Sequence, residues 1–402
     1  MSPIAGTFAS LRRWSASPSS SLASPVSRLA VAWEVAYPAV HIAMVGTRNP
    51  KHIEDAIAAS HIKLDASTLR PIEDIVNDEA GRRAHIRVGV TGEEPMSENT
   101  GATSPLPTVT VLGAGAMGSA MAERLLDQGF TVGVWNRTFG PAARLAQRGA
   151  MAYPTPDAAA ANADVVLTML PTADTVKEVM LEHRALTSMR PGAVWIQMGT
   201  IGVEATESLR SQVASGRSNV LFVDAPVSGS REPARTGRLV VLASGPAGSK
   251  SIVQPVFEAL GRPVWLGEAG AGSRMKLVLN TWLAFEVEAA AEVAAVADRL
   301  GVTHAALRET VAGGALASGV AMTKLAKIDS GDYSSDFSLE WALKDLDLAH
   351  SAAGSDSMPV GASIAERWRR LVAEGYGRLD ISAARKDLGA EPVARTSSEP
   401  RS

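Results

Sequence analysis

The chain has 402 residues, 46% of them hydrophobic and 20% charged, with a formal net charge of −3. That is enough for two or three domains with buried cores, and the near-neutral balance argues against nucleic acid or an anionic membrane as partner. Without cysteine there is no disulfide, thiolate zinc site or cysteine nucleophile, and no metal site is expected. No uninterrupted apolar run reaches the about 18 residues of a membrane span. The most apolar stretch, Leu277–Val296, carries Glu286, Glu288 and Glu292.

Residues 1–31 are rich in Ser, Pro and Ala, and contain Arg12, Arg13 and Arg28 but no acid. They read as a disordered tail on a cytoplasmic protein, an organelle transit peptide being the alternative. Val26–Trp33 has a helical pattern, and Val40–Val45 reads as a buried strand ending in Gly46-Thr47-Arg48-Asn49-Pro50. A second amphipathic helix follows over Lys51–Ser60. This stretch, residues 27–76, resembles the C-terminal end of aldo-keto reductases, where a strand and a Gly-x-Arg-x-Pro turn meet the adenosine 2′-phosphate of NADP. The remainder of that (β/α)₈ barrel, with its catalytic Tyr, Lys, Asp and His, has no counterpart here. A quarter of a barrel leaves open strand edges and closes no core, so residues 32–90 read as a remnant with no activity of its own and Arg48 as a solvated surface residue. Residues 91–107 form a polar linker. Within it, Met96 lies 17 residues before Gly113, and the expectation is that the working protein begins there.

From residue 108 the pattern alternates strands with Ala-, Leu- and Glu-rich helices. Strands are predicted at Thr108–Leu112, Thr131–Trp135, Asp164–Met169, Ala193–Gln197, Leu221–Ala225 and Val240–Ala243. This predicts an α/β fold over 108–270, a Rossmann-type doubly wound parallel sheet. The first strand runs into Gly113-Ala114-Gly115-Ala116-Met117-Gly118 and then a helix over Ser119–Gln128. In that setting the first glycine permits the tight turn and the second lets backbone approach a pyrophosphate. The third allows close helix–strand packing and leaves the helix N-terminus aimed at the anion. Past Gly270 the strand pattern stops. A long helix is predicted over Ser273–Leu300, an all-helical domain over 271–390, and a disordered tail over 391–402.

The second strand ends Val134-Trp135-Asn136-Arg137-Thr138. NAD-selective sites carry an acid here for the ribose 2′-hydroxyl. Asn136 is neutral and Arg137 offers a planar fork suited to a phosphate, so the expected cofactor is NADP(H), with NAD(H) as the second option.

Four ordered motifs, Gly113–Gly118, Met169-Leu170-Pro171, Asp224-Ala-Pro-Val-Ser-Gly229 and Lys276-x-x-x-Asn280, resemble the β-hydroxyacid dehydrogenases over Thr108–Leu388. Pro226-Val-Ser-Gly-Ser230 followed by Pro233-Ala234, and Phe337-Ser-Leu leading to Lys344-Asp345-Leu346, look closest to the glyoxylate/succinic semialdehyde reductases. Reducing an aldehyde needs a hydride at carbon and a proton for the developing alkoxide. Lys276 suits the proton donor, since an ordinary lysine, with a pKa of about 10.4, is protonated at neutral pH. Asn280 shares its helix face and can orient the lysine or bind substrate. The Ser228-Gly229-Ser230 loop follows a strand, where open α/β sheets hold ligands, and its small residues let a carboxylate meet backbone N–H groups and the Ser228 hydroxyl. The resemblance further implies that Ser228 contacts the substrate carboxylate, that Thr200 and Lys344 touch the cofactor, and that Phe337 and Asp345 belong to the active site. It also implies a homodimer or homotetramer joined through the helical domain. Met117 and Met169 read as packing residues beside the cofactor. Gly199 departs from the family, which has a hydroxyl residue there, and that bears on substrate selectivity.

The expected reaction is NADPH-dependent reduction of a small oxo-acid or semialdehyde to the hydroxyacid, or its reverse. Two alternatives share the architecture: an imine reductase, which commonly has Asp or Tyr in place of Lys276 and lacks the Pro-Val-Ser-Gly loop, and a silent NADP-binding protein, which should have lost both.

Overall fold

The computed structural model divides into two compact units, residues 1–101 and 102–402. It describes residues 105–389 together with Ala32, Ile57–Ala59 and Ile62. In the first unit Ala32 and Ile57–Ala59 are helical, within the two stretches of predicted helix. The strand at Val40–Val45, Arg48, Met96 and both terminal tails lie outside the described residues.

The second unit opens on a six-stranded parallel sheet: β1 (Val109–Leu112), β2 (Val132–Trp135), β3 (Met151–Ala152), β4 (Val165–Thr168), β5 (Val194–Gln197) and β6 (Leu221–Asp224). Its order is β3-β2-β1-β4-β5-β6, the doubly wound Rossmann arrangement, whose strand order reverses between β1 and β4. Four of these strands, β1, β2, β4 and β5, are buried throughout, as expected where helices cover both faces. One face packs Val109, Val111, Val134, Val165 and Leu167 beneath Met121 and Leu125 of the first helix, Ala116–Asp127. The other packs Leu112, Val166 and Trp195 against Met180, Leu186 and Leu209.

The predicted strand over Val240–Ala243 belongs to a different sheet. It lies in β8 (Leu239–Ala243), between β7 (Val227–Ser228), which it pairs antiparallel, and β9 (Gly261–Trp265), which it pairs in parallel. The main sheet takes its sixth strand from the two-residue β3 instead. The small sheet leads into a helix of 30 residues, Ala271–Leu300. Helices Gly319–Ser330, Leu339–Ala353 and Pro359–Ala373 pack around it over a core that includes Val287, Ala291, Leu346 and Trp368. Among the described residues no helix is long and apolar enough to cross a membrane.

The glycine turn explains its own spacing. Gly113 has φ +104°, and a Cβ there would lie 2.5 Å from the Met169 carbonyl oxygen. The first helix begins at Ala116, before the third glycine. A Cβ on Gly118 would stand 1.9 Å from the Gly113 carbonyl oxygen. Gly118→Ala therefore forces helix and turn apart. The expected loss is about 1–3 kcal/mol, read from urea unfolding; an unchanged midpoint would contradict this packing.

Candidate active site

The turns after β1, β2, β4 and β5 meet at one edge of the sheet, where such folds bind ligands. At the first, Gly115 and Ala116 are exposed, and a Cβ on Gly115 would meet nothing within 4 Å. The backbone N–H groups of the helix's first turn have no intrahelical acceptor. Asn136, at the end of β2, ties this turn down. Its Oδ1 accepts from the Ala114 N–H at 3.0 Å, and its Nδ2 donates to the carbonyl and hydroxyl oxygens of Thr138 at 2.9 and 3.0 Å. Asn136 thus has a structural task at the glycine turn. Arg137 and Thr138 beside it are exposed.

After β4, Met169 packs on one core of the sheet and buried Leu170 on the other, with Pro171 exposed. After β5, Gly199 approaches so closely that a Cβ would lie 2.3 Å from the Leu170 carbonyl oxygen. A buried chain of hydrogen bonds supports this turn. Trp195 Nε1 donates to Thr168 Oγ1 at 2.9 Å, Thr168 Oγ1 donates to Gln197 Oε1 at 2.5 Å, and Gln197 Nε2 donates to the Gly199 carbonyl at 2.8 Å. A hydroxyl side chain here would require the Leu170 backbone to shift.

The helical half supplies the charged groups. Asp345, on helix Leu339–Ala353, is buried, with 3% exposure. Asn280 Nδ2 donates to its Oδ2 at 2.5 Å, and the Lys344 ammonium lies 3.0 Å from its Oδ1. Lys344 also donates to the carbonyl oxygens of Thr200 at 2.6 Å and Pro171 at 3.0 Å. One ammonium thereby ties the helical half to the turns after β4 and β5. Lys276 lies one turn before Asn280 on the long helix. Burial lowers its pKa to about 8, the Asp345 carboxylate opposing this and the Lys344 charge adding to it. Its ordinary solution value, assumed on sequence grounds, is thus corrected. Burial pushes the Asp345 carboxyl up, against the charges of Lys344 and Lys276.

Ser228 and Phe337 lie on two further elements. Ser228 lies on β7, the edge strand of the small sheet, not in an irregular loop, and Gly229 follows with φ +129°. Ser230 stands at the start of the short helix Arg231–Thr236. Phe337 packs against the helical core. Its turn is held by buried Asp380, whose Oδ2 accepts from the Asp336 and Phe337 N–H groups at 3.2 and 3.4 Å. Lys324 Nζ donates to the same carboxylate at 2.8 and 3.0 Å. Sequence reading did not single out Asp380 or Lys324; a separation of 56 positions hides the pair. Among the described residues no group of His, Asp and Glu is arranged to hold a metal ion.

Residues 108–269 match the NAD binding domain of 6-phosphogluconate dehydrogenase, and residues 270–388 match the NAD-binding region of NADP-dependent 3-hydroxyisobutyrate dehydrogenase. The chain is 33% identical over 282 residues to glyoxylate/succinic semialdehyde reductase 1 of Arabidopsis thaliana, spanning 68% of this chain and 96% of that protein. This chain belongs to the β-hydroxyacid dehydrogenase family. It is 30% identical over 280 residues to 2-(hydroxymethyl)glutarate dehydrogenase of Eubacterium barkeri, spanning 68% of this chain and 92% of that protein. Among solved structures, 3-hydroxyisobutyrate dehydrogenase of Mycobacterium tuberculosis with L-serine is 28% identical, with a TM-score of 0.64 over 71% of this chain and 99% of that one.

As a member of that family the protein is an NAD(P)-dependent oxidoreductase acting on CH–OH groups. The turn at 113–118 fits the cofactor: Gly115 leaves open space where the first-turn N–H groups begin, as a pyrophosphate requires. Lys344, expected at the cofactor, is engaged here by Thr200, Pro171 and Asp345. The arrangement around Asp345 predicts a sign. Asp345→Asn removes the negative charge that raises the Lys276 pKa, so that pKa should fall below about 8. The alkaline limb of kcat/KM, which reports free-enzyme groups, should move to lower pH. A limb that stays or moves up would contradict the electrostatic link.

Proposed function

We propose that this protein reduces a small aldehyde acid of the glyoxylate or succinic semialdehyde type to its hydroxyacid with NADPH, and runs the reverse oxidation at higher pH. The observation that carries the reading is the Lys276–Asn280–Asp345–Lys344 cluster, at the side of the sheet where the glycine turn binds the dinucleotide. The cofactor, when bound, supplies the hydride. Lys276 gives an ammonium proton to the oxygen of the reduced carbonyl and is left as a neutral amine, which water reprotonates. With a pKa of about 8 it is about ten-to-one protonated one pH unit below that value. It is therefore both populated as a donor and a stronger acid than an exposed lysine. Reduction should then be flat in kcat/KM below about pH 8 and fall above it, while oxidation, which needs the neutral amine, rises through the same pH.

The remaining roles follow from position. Asn280 and Asp345 hold the geometry around the lysine, and Asp345 keeps its proton affinity from falling further. Ser228, Gly229 and Ser230 bind the substrate carboxylate, with Phe337 as a wall of the pocket. Gly113–Gly118, Asn136, Arg137, Thr138, Met169, Leu170, Pro171 and Thr200 frame the cofactor. Arg137 selects the 2′-phosphate: it is exposed, and no described residue pairs with it. Working domains at 108–270 and 271–390, a cytoplasmic location and self-association complete the reading. Met275, Val278, Trp282, Val293, Val296 and Leu300 stand exposed along one stripe of the long helix, in keeping with a homodimer or homotetramer.

Two measurements test this. Arg137→Asp should weaken NADPH binding far more than NADH binding in parallel titrations, and equal losses would contradict the phosphate role. Lys276→Met should abolish turnover and leave NADPH affinity intact, assayed by NADPH absorbance over a panel of aldehyde acids, ketones and imines. Near-wild-type turnover in that variant would end the mechanism. Turnover of imines alone, or of nothing, would replace the substrate class.

A further inference from the structure

One buried acid lies outside the cluster just described, at the junction of its parts. Asp224 ends β6 and is fully buried. Its Oδ2 accepts from the N–H groups of Ser273 at 2.8 Å and Gly270 at 3.1 Å, and from the Ser244 hydroxyl at 3.1 Å. Its Oδ1 accepts from the Ser273 hydroxyl at 2.7 Å. The Asp224 and Ser244 backbones also exchange N–H···O bonds of 2.9 and 2.8 Å, joining the main sheet to the small one. Gly270 and Ser273 bracket the start of the long helix. Every side-chain contact of the carboxylate is therefore a donor, and two are orphan N–H groups of a helix N-terminus, where negative charge is favoured.

The close approach is built into the sequence. A Cβ on Gly272 would lie 2.2 Å from the Leu242 carbonyl oxygen and 3.1 Å from Asp224 Oδ2. Gly270 adopts φ +105°. Lys276 follows Ser273 by three residues, and Ser228 follows Asp224 by four, through the buried run Ala225–Val227.

From this junction we propose that Asp224 is a positioning residue, a buried carboxylate whose bonds to Gly270 and Ser273 set the long helix so that Lys276 faces the Ser228–Gly229 segment. The inference rests on Lys276 as the proton donor. None of Asp224's side-chain bonds reaches the glycine turn or the turns after β2, β4 and β5, so its removal should fall on kcat rather than on NADPH affinity. Charge-assisted bonds are the strong ones, and a displacement of 1 Å at a reacting group can cost about 100-fold in rate.

The test compares wild type, Asp224→Ala, Asp224→Asn and Ser273→Ala, with active chains counted by NADPH fluorescence titration. Asp224→Ala should lose about 100-fold in kcat per NADPH-binding chain, with NADPH Kd within about twofold. In Asp224→Asn the amide oxygen still accepts from Gly270 and Ser273 while the NH₂ faces the Ser273 hydroxyl, so most of the rate returns. Wild-type kcat per binding chain in Asp224→Ala would overturn the proposal. If that variant does not fold, Ser273→Ala decides: a several-fold loss in kcat supports it, and an unchanged kcat overturns it. A second readout needs no turnover. Lys276 labelling by a small amine reagent, mapped by peptide mass against pH, should show a midpoint near 8 in wild type. That midpoint should return toward ordinary lysine values in Asp224→Ala, as the side chain loses its burial. An unmoved midpoint overturns the positioning role, whereas an inactive wild type with the expected labelling shift overturns only the substrate reading.

Discussion

The carboxylate of Asp224 against the first turn of the long helix is the interaction on which the two halves of this enzyme depend. It is where the main sheet ends, the small sheet begins and the 30-residue helix starts. A buried charge is tolerated only when its lone pairs are satisfied, and four donors from Ser244, Gly270 and Ser273 meet that demand. The charged cluster continues from this helix. The helix carries Lys276 and Asn280, Asn280 holds Asp345, and Asp345 holds Lys344. Lys344 in turn grips carbonyl oxygens at the ends of the Rossmann strands.

A second constraint is backbone proximity. Gly113, Gly118, Gly199 and Gly272 each stand where a Cβ would lie 2.5 Å or less from a carbonyl oxygen. At Gly113 and Gly118 it packs the turn against Met169 and the first helix. At Gly199 it brings the turn carrying Thr200 against the one carrying Leu170. At Gly272 it lets the helix reach Asp224. The one open member, Gly115, lies where the dinucleotide must pass. Gly199 is instructive: set beside the family it looks like a lost hydroxyl, and in the fold it lets two turns pack backbone to backbone.

Much of this was legible in the chain itself. The strand–turn–helix around Gly113–Gly118 announces itself because its glycine spacing and apolar periodicity are local. So do the long helix and the turn carrying Asn136 and Arg137. Partnership is not local. The run Val240–Ala243 reads as one more strand of the main sheet because alternation says nothing of which edge it joins. Met151–Ala152 is too short to register, and Pro263 disguises β9. The lowered pKa of Lys276 depends on burial and on Asp345 and Lys344, nearly 70 residues on, so an isolated lysine in sequence keeps its solution value. Asp224 sits inside a quoted motif, yet its partners at 244, 270 and 273 appear only once the chain is folded.

In the proposed reaction hydride passes from NADPH to the carbonyl carbon of a small aldehyde acid held beside Lys276. Reduction of succinic semialdehyde or glyoxylate with NADPH deuterated at the transferring C4 position, followed by mass spectrometry of the product, tests it most directly. The expected product is a hydroxyacid carrying one deuterium on the carbinol carbon, formed in step with NADPH consumption. A hydroxyacid without that label, or cofactor consumption with no hydroxyacid, would contradict it.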